Sequence, residues 1–236
     1  MKRLPDFLGV ILVVALILTT QIGASAQAIG TVTQLGVNND VYIYQELRSE
    51  VIIMQLGNEN SAKVEQEGSD HIAGVGQVGD ENTIQIVQGG QKNLVLAIQT
   101  GDENDATISQ IQLVNRGSLL NISNHDAFSY QSGSLNKLSL EQIEDENITS
   151  NYQIGDNNQV LVFQVQELAA TGSNAVFVVQ AGSANWAEVQ QFGAHQLARS
   201  LQSGDGNMSS ISQMGTDNTA SVSQSGNSNH AIINQG

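Results

Sequence analysis

The sequence predicts an all-β protein, a two-sheet β-solenoid of about nine 22-residue coils. Three observations carry that expectation: an 11-residue period marked by glutamine, alternation of period two inside each unit, and a glycine and an asparagine at fixed places between the strands.

The first 26 residues read as a leader. Lys2 and Arg3 give a positive start, Phe7 to Leu18 is apolar apart from Gly9, and Ala24-Ser25-Ala26 suits a signal-peptide cleavage site. The apolar run is short for a membrane span, so the expected product is secreted. Residues 27–33 then form a short N-terminal segment, and residues 34–236 the repetitive body.

Without Lys2, Arg3 and Asp6 the chain keeps 6 basic and 22 acidic residues, a net charge of -16, which argues against nucleic acid as a partner. It has no cysteine, so an extracellular protein of this length must cohere without disulfides. Aromatic residues make up only 4%, too few for a globular core of ordinary composition.

Glutamine sets the period. It stands at Gln34 and Gln45, at Gln55, Gln66, Gln77, Gln88, Gln99 and Gln110, at Gln131, Gln142, Gln153 and Gln164, and at Gln180, Gln191, Gln202, Gln213, Gln224 and Gln235. Counting each Gln as position zero, glycine occupies +2 in 13 of 18 units, among them Gly36, Gly57, Gly68, Gly79, Gly101, Gly155, Gly193, Gly215 and Gly226. Asparagine occupies +5 equally often, as at Asn60, Asn82, Asn93, Asn104, Asn158, Asn207, Asn218 and Asn229, so both positions belong to the repeat.

A period of 11 also suits a right-handed coiled coil, but a glycine in each unit costs a helix about 1 kcal/mol. Inside a unit, Asn60, Ala62, Val64 and Gln66 share one side and Ser61, Lys63 and Glu65 the other, the pattern of a strand with one buried face. Positions +5 to +11 therefore make a strand roughly 23 Å long. The residues between form a corner, where Gly at +2 permits positive φ or close approach of the next backbone. Odd units build one sheet and even units the other; with rungs about 4.8 Å apart the column is roughly 43 Å tall. Inward Gln and Asn are expected to pair with the same amide one coil above and below, since a buried unpaired amide costs roughly 1 to 3 kcal/mol.

The pattern weakens at 45–54, 112–130 and 165–173. In the first stretch Leu47 and Glu50 replace Gly and Asn and one residue is missing. In the second, Gln112 and Ser123 replace Gly, Asn121 stands where Gln is expected and Asp126 where Asn is expected. In the third, five extra residues bulge near Glu167 to Gly172, and register returns at Asn174. One continuous solenoid with defects is the expectation, a break near 112–130 the alternative.

The repeat Q-x-G-x-x-N-x-A-x-x-x-Q resembles that of curlin, the subunit of bacterial extracellular amyloid fibres. Gln213-Met-Gly215-Thr-Asp-Asn218-Thr-Ala220-Ser-Val222-Ser-Gln224 follows it closely, and the likeness runs from Gln34 to Gln235. It implies a cross-β amyloid-forming subunit of extracellular fibres on the bacterial cell surface, serving adhesion and biofilm matrix. The implied partners are the protein itself, a curli nucleator or major subunit, and the outer-membrane curli secretion channel with its accessory proteins. The chain has more units than the common five-coil subunit. Its consecutive glycines are more like the nucleating minor subunit, whose basic last repeat it lacks, and near-consensus units at both ends favour a fibre-forming subunit. A minor subunit that nucleates growth, or a monomeric ligand-binding solenoid, are the alternatives.

Chemistry-bearing constellations are few. Gly74-Val-Gly76-Gln-Val-Gly79 matches a dinucleotide fingerprint by letter, but Gly74 and Gly76 fall on the outward side of a strand and no helix follows. His71, His125, His195 and His230 lack metal-ligand spacing and are placed mostly in corners or on the outer face. No catalytic residue, cofactor or metal is expected. Asp80-Glu81 and Asp102-Glu103, one coil apart on the same corner, are candidate gatekeepers that slow assembly, a weak calcium ladder, or a solvated rim. Leu94, Leu96, Ile98, Leu161, Phe163, Phe177 and Val179 are outward apolar residues suited to lateral bundling.

Overall fold

The computed structural model describes residues 28–111, 125–144, 146–166 and 173–236, which form eighteen strands in two nine-stranded sheets. One sheet holds β1 (Ile29–Leu35), β3 (Glu50–Leu56), β5 (Ile72–Val78), β7 (Leu94–Thr100), β9 (Asp126–Ser132), β11 (Ile148–Ile154), β13 (Ala175–Ala181), β15 (Leu197–Ser203) and β17 (Thr219–Ser225). The other holds β2 (Asp40–Gln45), β4 (Ser61–Ser69), β6 (Thr83–Gln91), β8 (Asp105–Ile111), β10 (Lys137–Ile143), β12 (Gln159–Val165), β14 (Trp186–Ala194), β16 (Met208–Thr216) and β18 (His230–Gln235). The chain alternates between them, so the protein is a two-sheet parallel β-solenoid.

Every ladder pairs a strand with the strand two further along, Gln against Gln, as in Gln34 with Gln55 and Gln213 with Gln235. That register keeps all aliphatic positions on the inner face. Val51, Ile53, Val64, Val75, Ile84, Ile86, Ile108, Leu140, Val162, Val178 and Ile211 meet there as one core without solvent access. The inner positions of β9, β11, β15 and β16 depart from this with Ser129, Thr149, Asn151, Ser200 and Ser209.

The two edges of the solenoid differ, which the period alone did not reveal. Corners after odd strands are uniform: nine glycines from Gly36 to Gly226 at positive φ, then a second positive-φ residue two places on, from Asn38 to Ser228. A Cβ on Gly101 would lie 2.1 Å from the carbonyl oxygen of Gly133 in the next coil, so only glycine fits. Corners after even strands carry every irregularity, because extra residues there leave the opposite corner, and hence the stacking register, untouched.

Four placements correct the sequence reading. Ile29–Leu35 is the first strand, so residues 29–33 belong to the solenoid and not to a segment before it. In the shortened corner Ser49, not Glu50, takes the inward position after the turn, because Glu50 opens β3 facing outward. In the weak stretch His125, not Asp126, holds that position; Asp126 opens β9 and is exposed. His71 and His125 are fully buried rather than superficial. Asn121 and the bulge at Glu167 to Gly172 lie outside the described residues. The sheets are continuous past both stretches, β7 pairing with β9 and β11 with β13.

Candidate functional site: amide ladders and open end rungs

Each buried Gln closes its strand and reaches two ways. Its Nε2 donates to the Oε1 of the Gln one rung on, as Gln55 to Gln77 at 2.8 Å and Gln88 to Gln110 at 3.0 Å. The same Nε2 donates across the core to the opposite sheet, from Gln55 to the Asp40 carbonyl and from Gln77 to the Ser61 carbonyl. Along the odd sheet the links run from Gln34 through Gln99, Gln131, Gln153 and Gln202 to Gln224. Along the even sheet they run from Gln45 through Gln66, Gln142, Gln164 and Gln191 to Gln213 and Gln235. All of these bonds donate from the lower-numbered Gln to the higher, so both columns are polarised.

Asparagines of the uniform edge form a third column with the opposite polarity. Asn82 donates its backbone N–H and its Nδ2 to the Oδ1 of Asn60, and its Nδ2 also reaches the Gly101 carbonyl at 2.7 Å. Asn104, Asn136, Asn158, Asn185, Asn207 and Asn229 repeat the side-chain bond, each to the Asn one rung back. The backbone partners fix which amide atom is oxygen, because only Oδ1 can face an N–H.

The expected partner of like kind is not present on the other edge. There the inward series reads Ser49, His71, Asn93, His125, Asn147, Asn174, Gln196 and Asn218. Asn93 donates its N–H to His71 Nδ1 at 3.3 Å and accepts the N–H of His125 on Oδ1. His125 Nδ1 in turn accepts the N–H of Asn147. A ring nitrogen that accepts must be unprotonated, so both histidines are neutral. Burial pushes the His71 imidazole below its usual range and that of His125 down to about 4. Asn218 donates only within its own corner, to Met214. Counting five from Gln66 and back six from Gln131 would have placed both histidines in this series.

The acidic corners are knitted into the uniform edge. Asp102 Oδ1 accepts the backbone N–H of Asp80 at 2.9 Å, and Asp80 Oδ1 accepts the N–H of Asn58. Glu81 and Glu103 occupy positive-φ corner positions, with exposed side chains. Among the described residues no three His, Cys, Asp or Glu side chains converge as a metal site.

Among the described residues nothing stacks on the outer side of the first or the last coil. At the first coil Leu35, Val37, Tyr42, Tyr44 and Leu47 are exposed, and at the last Met214 and Ile232. Gly226 has the corner geometry of Gly204 yet no carbonyl over it, so a Cβ there meets only Asn229 Nδ2, at 3.6 Å. The terminal groups are complementary: Asn229 Oδ1 and the amides of Gln224 and Gln235 end their columns where Asn39, Gln34 and Gln45 begin them.

The curlin associated repeat matches residues 48–79, 79–111, 182–215 and 204–236, half of the chain. The chain belongs to the curlin-repeat family. Its members are curli-fibre components, structural rather than enzymatic in role. No curated protein matches the sequence. The curlin matches leave out the centre, where the inward Ser129, Thr149 and Asn151 lie, while the inward pair Ser200 and Ser209 falls inside them.

Proposed function

We propose that this protein is a structural subunit of an extracellular curli-type amyloid fibre on a bacterial cell surface, exported through the outer-membrane curli channel and serving adhesion and biofilm matrix. The observation that carries this reading is the fit between its two open ends. Stacked head to tail, Gln224 of one copy meets Gln34 of the next, Gln235 meets Gln45, and Asn229 Oδ1 receives the N–H and Nδ2 of Asn39. Each bond repeats one already made inside the column, so the joint costs no new geometry. The inner-face aliphatics left half-buried on the terminal coils, Val41, Ile43, Ala231 and Ile233, are covered in the same step. Two usable ends favour a fibre-forming subunit over a dedicated nucleator, which needs one.

Asp80, Glu81, Asp102 and Glu103 fit a role as gatekeepers that retard stacking by repulsion between coils. The experiment on the fibre reading is direct. Purified protein is incubated and followed by thioflavin fluorescence and fibre diffraction, with a cross-β pattern at about 4.8 Å expected. A protein that stays monomeric when seeded with its own aggregates sinks it.

A further inference from the structure

The outer faces of the two sheets differ in chemistry. That of the even sheet carries Asp40, Lys63, Glu65, Asp105, Lys137, Glu141 and Glu188, along with Leu161 and Phe163. The outer face of the odd sheet bears Leu94, Leu96, Phe177 and Val179, so the outward apolar residues fall on two faces and not on one; Ile98, also expected there, is buried. Its outward positions on β9, β11, β13 and β15 hold one acid, Asp126, and one base, Arg199, in a chain of net charge -15.

Within those four strands the side chains are graded. Phe128, Tyr152 and Phe177 lie ring to ring at 5.1 and 6.1 Å, and the Arg199 guanidinium sits 5.8 Å from the Phe177 ring. Ile148, Ile154 and Leu197 are 41%, 49% and 40% exposed, large values for such residues in a regular sheet. Small residues stand beside them: Ser150, Ala175 and Ala181.

We propose that this face pairs with the same face of a second copy, the two columns antiparallel about a two-fold axis that runs along the strands between β11 and β13. That operation places β9 opposite the partner's β15 and β11 opposite its β13, every position facing its own column. Ile148 then meets Ala175, Ile154 meets Ala181 and Ser150 meets Phe177, large against small at each place. Phe128 meets Arg199, a cation over a ring, and Asp126 lies two residues along from Phe128, within reach of the same guanidinium. The pairing is isologous, so each contact occurs twice. A copy is the fitting occupant because the chain as a whole is acidic, net charge -15, which keeps copies apart, while here acid and base are matched across the axis.

Four strands span an area of roughly 20 by 23 Å, below the 800 Å² per partner of a stable complex. A single contact is therefore weak; a filament repeats it in every subunit, and the sum holds two filaments together. That gain in avidity rests on the head-to-tail reading, whereas the face itself does not.

The test separates the two. Filaments of purified protein are imaged by electron microscopy for lateral pairing, and seeded thioflavin kinetics read elongation independently. Arg199→Asp is expected to leave elongation unchanged and to abolish pairing, and the charge swap Asp126→Arg with Arg199→Asp to restore it. Lys137→Asp, on the other sheet, is expected to pair as wild type does. Pairing that survives Arg199→Asp, or that the swap does not restore, overturns the proposal. If wild type forms no filaments, the stacking reading fails alone, and the same variants are compared by sedimentation of concentrated soluble protein. A dimer lost in Arg199→Asp and regained in the swap then upholds the face, and a monomer throughout overturns it.

Discussion

Gln99 donates its side-chain amide to Gln131 at 2.8 Å across 32 residues, whereas Gln77 reaches Gln99 across 22. The same amide bond is made in both, so the ladder keeps its rung across ten additional residues of chain. They enter the chain between β8 and β9, at a corner of the irregular edge, and the sheet closes past them.

Deleting residues 113–122 restores the 22-residue interval and shortens the connection that must close before β9 can dock. Loop-closure entropy puts the expected gain at about 1 kcal/mol. A guanidinium midpoint that falls after the deletion would assign those residues a supporting role that the ladder does not show.

Much of this was legible in the sequence because a solenoid repeats its instructions. Gln, Gly and Asn recur at fixed offsets, and each is the residue type its position demands: Gly101 for a corner closed by the Gly133 carbonyl, Asn82 for one that needs a donor and an acceptor. What stayed hidden was parity. Counting one period treats the two edges alike, although only the uniform edge keeps Gly and Asn throughout. A forward count of 11 past the insertion likewise landed on Asp126, one residue beyond His125, because an irregular corner shifts every later position. Side-chain exposure on the outer face was out of reach too, since it depends on how the side chains of adjoining rungs lie over one another, as where Ile98 is buried and Ile148 is not.

Ser129 and Asn151 are neighbours on the inner face of β9 and β11, and Ser129 Oγ and Asn151 Oδ1 are buried without a partner. Other coils place an aliphatic side chain there, as at Ile53, Val75 and Val178. Asn151→Val is expected to raise stability by about 1 to 3 kcal/mol, the usual cost of an unmet buried polar atom. The check is the denaturation midpoint, with hydrogen exchange showing whether the gain is centred on β9 and β11; a lowered midpoint would mean the amide is needed as it stands.

His125 sets an acid limit. Its pKa falls from about 6.5 when unfolded to about 4 in the core, through burial. Between those values the unfolded chain binds the extra proton, so stability is lost as the pH is lowered, by about 3 kcal/mol at pH 4 relative to pH 7. Asp105, Asp126 and Glu50 titrate the other way: partial desolvation against the sheet holds their carboxyls above the ordinary range, and the fold gains as they protonate. His125→Asn is expected to flatten the loss between pH 6.5 and 4, read as denaturation midpoint against pH. An unchanged slope would place the acid sensitivity elsewhere.

The acidic corner yields a kinetic prediction. In Asp80→Asn with Asp102→Asn each side chain keeps an oxygen for the N–H that Oδ1 accepts now, at Asn58 and Asp80, so the corner retains its hydrogen bonds. Only the charge goes. Assembly followed by thioflavin is therefore expected to show a shorter lag at low salt and little difference at high salt, where repulsion is screened. Equal lags at both would reduce these carboxylates to a solvated rim.

Gly226 is where fold and assembly part company. Gly101 and Gly226 share positive φ, 106 and 101°, but the first faces a carbonyl 2.1 Å from where a Cβ would lie and the second faces open space. Gly101→Ala should therefore prevent the column from closing, while Gly226→Ala adds only local strain of about 1 to 3 kcal/mol to a single molecule. In a head-to-tail joint the next copy brings the Gly36 carbonyl over Gly226, and the alanine methyl then meets the clash found within the column. The variant can still dock its first coil onto a wild-type end, so it adds once and blocks further growth there. Wild-type seeds supplied with Gly226→Ala protein are expected to show growth that stops after a single layer, measured by seeded thioflavin kinetics and filament length. Filaments that lengthen as in wild type would mean that copies do not meet through this corner.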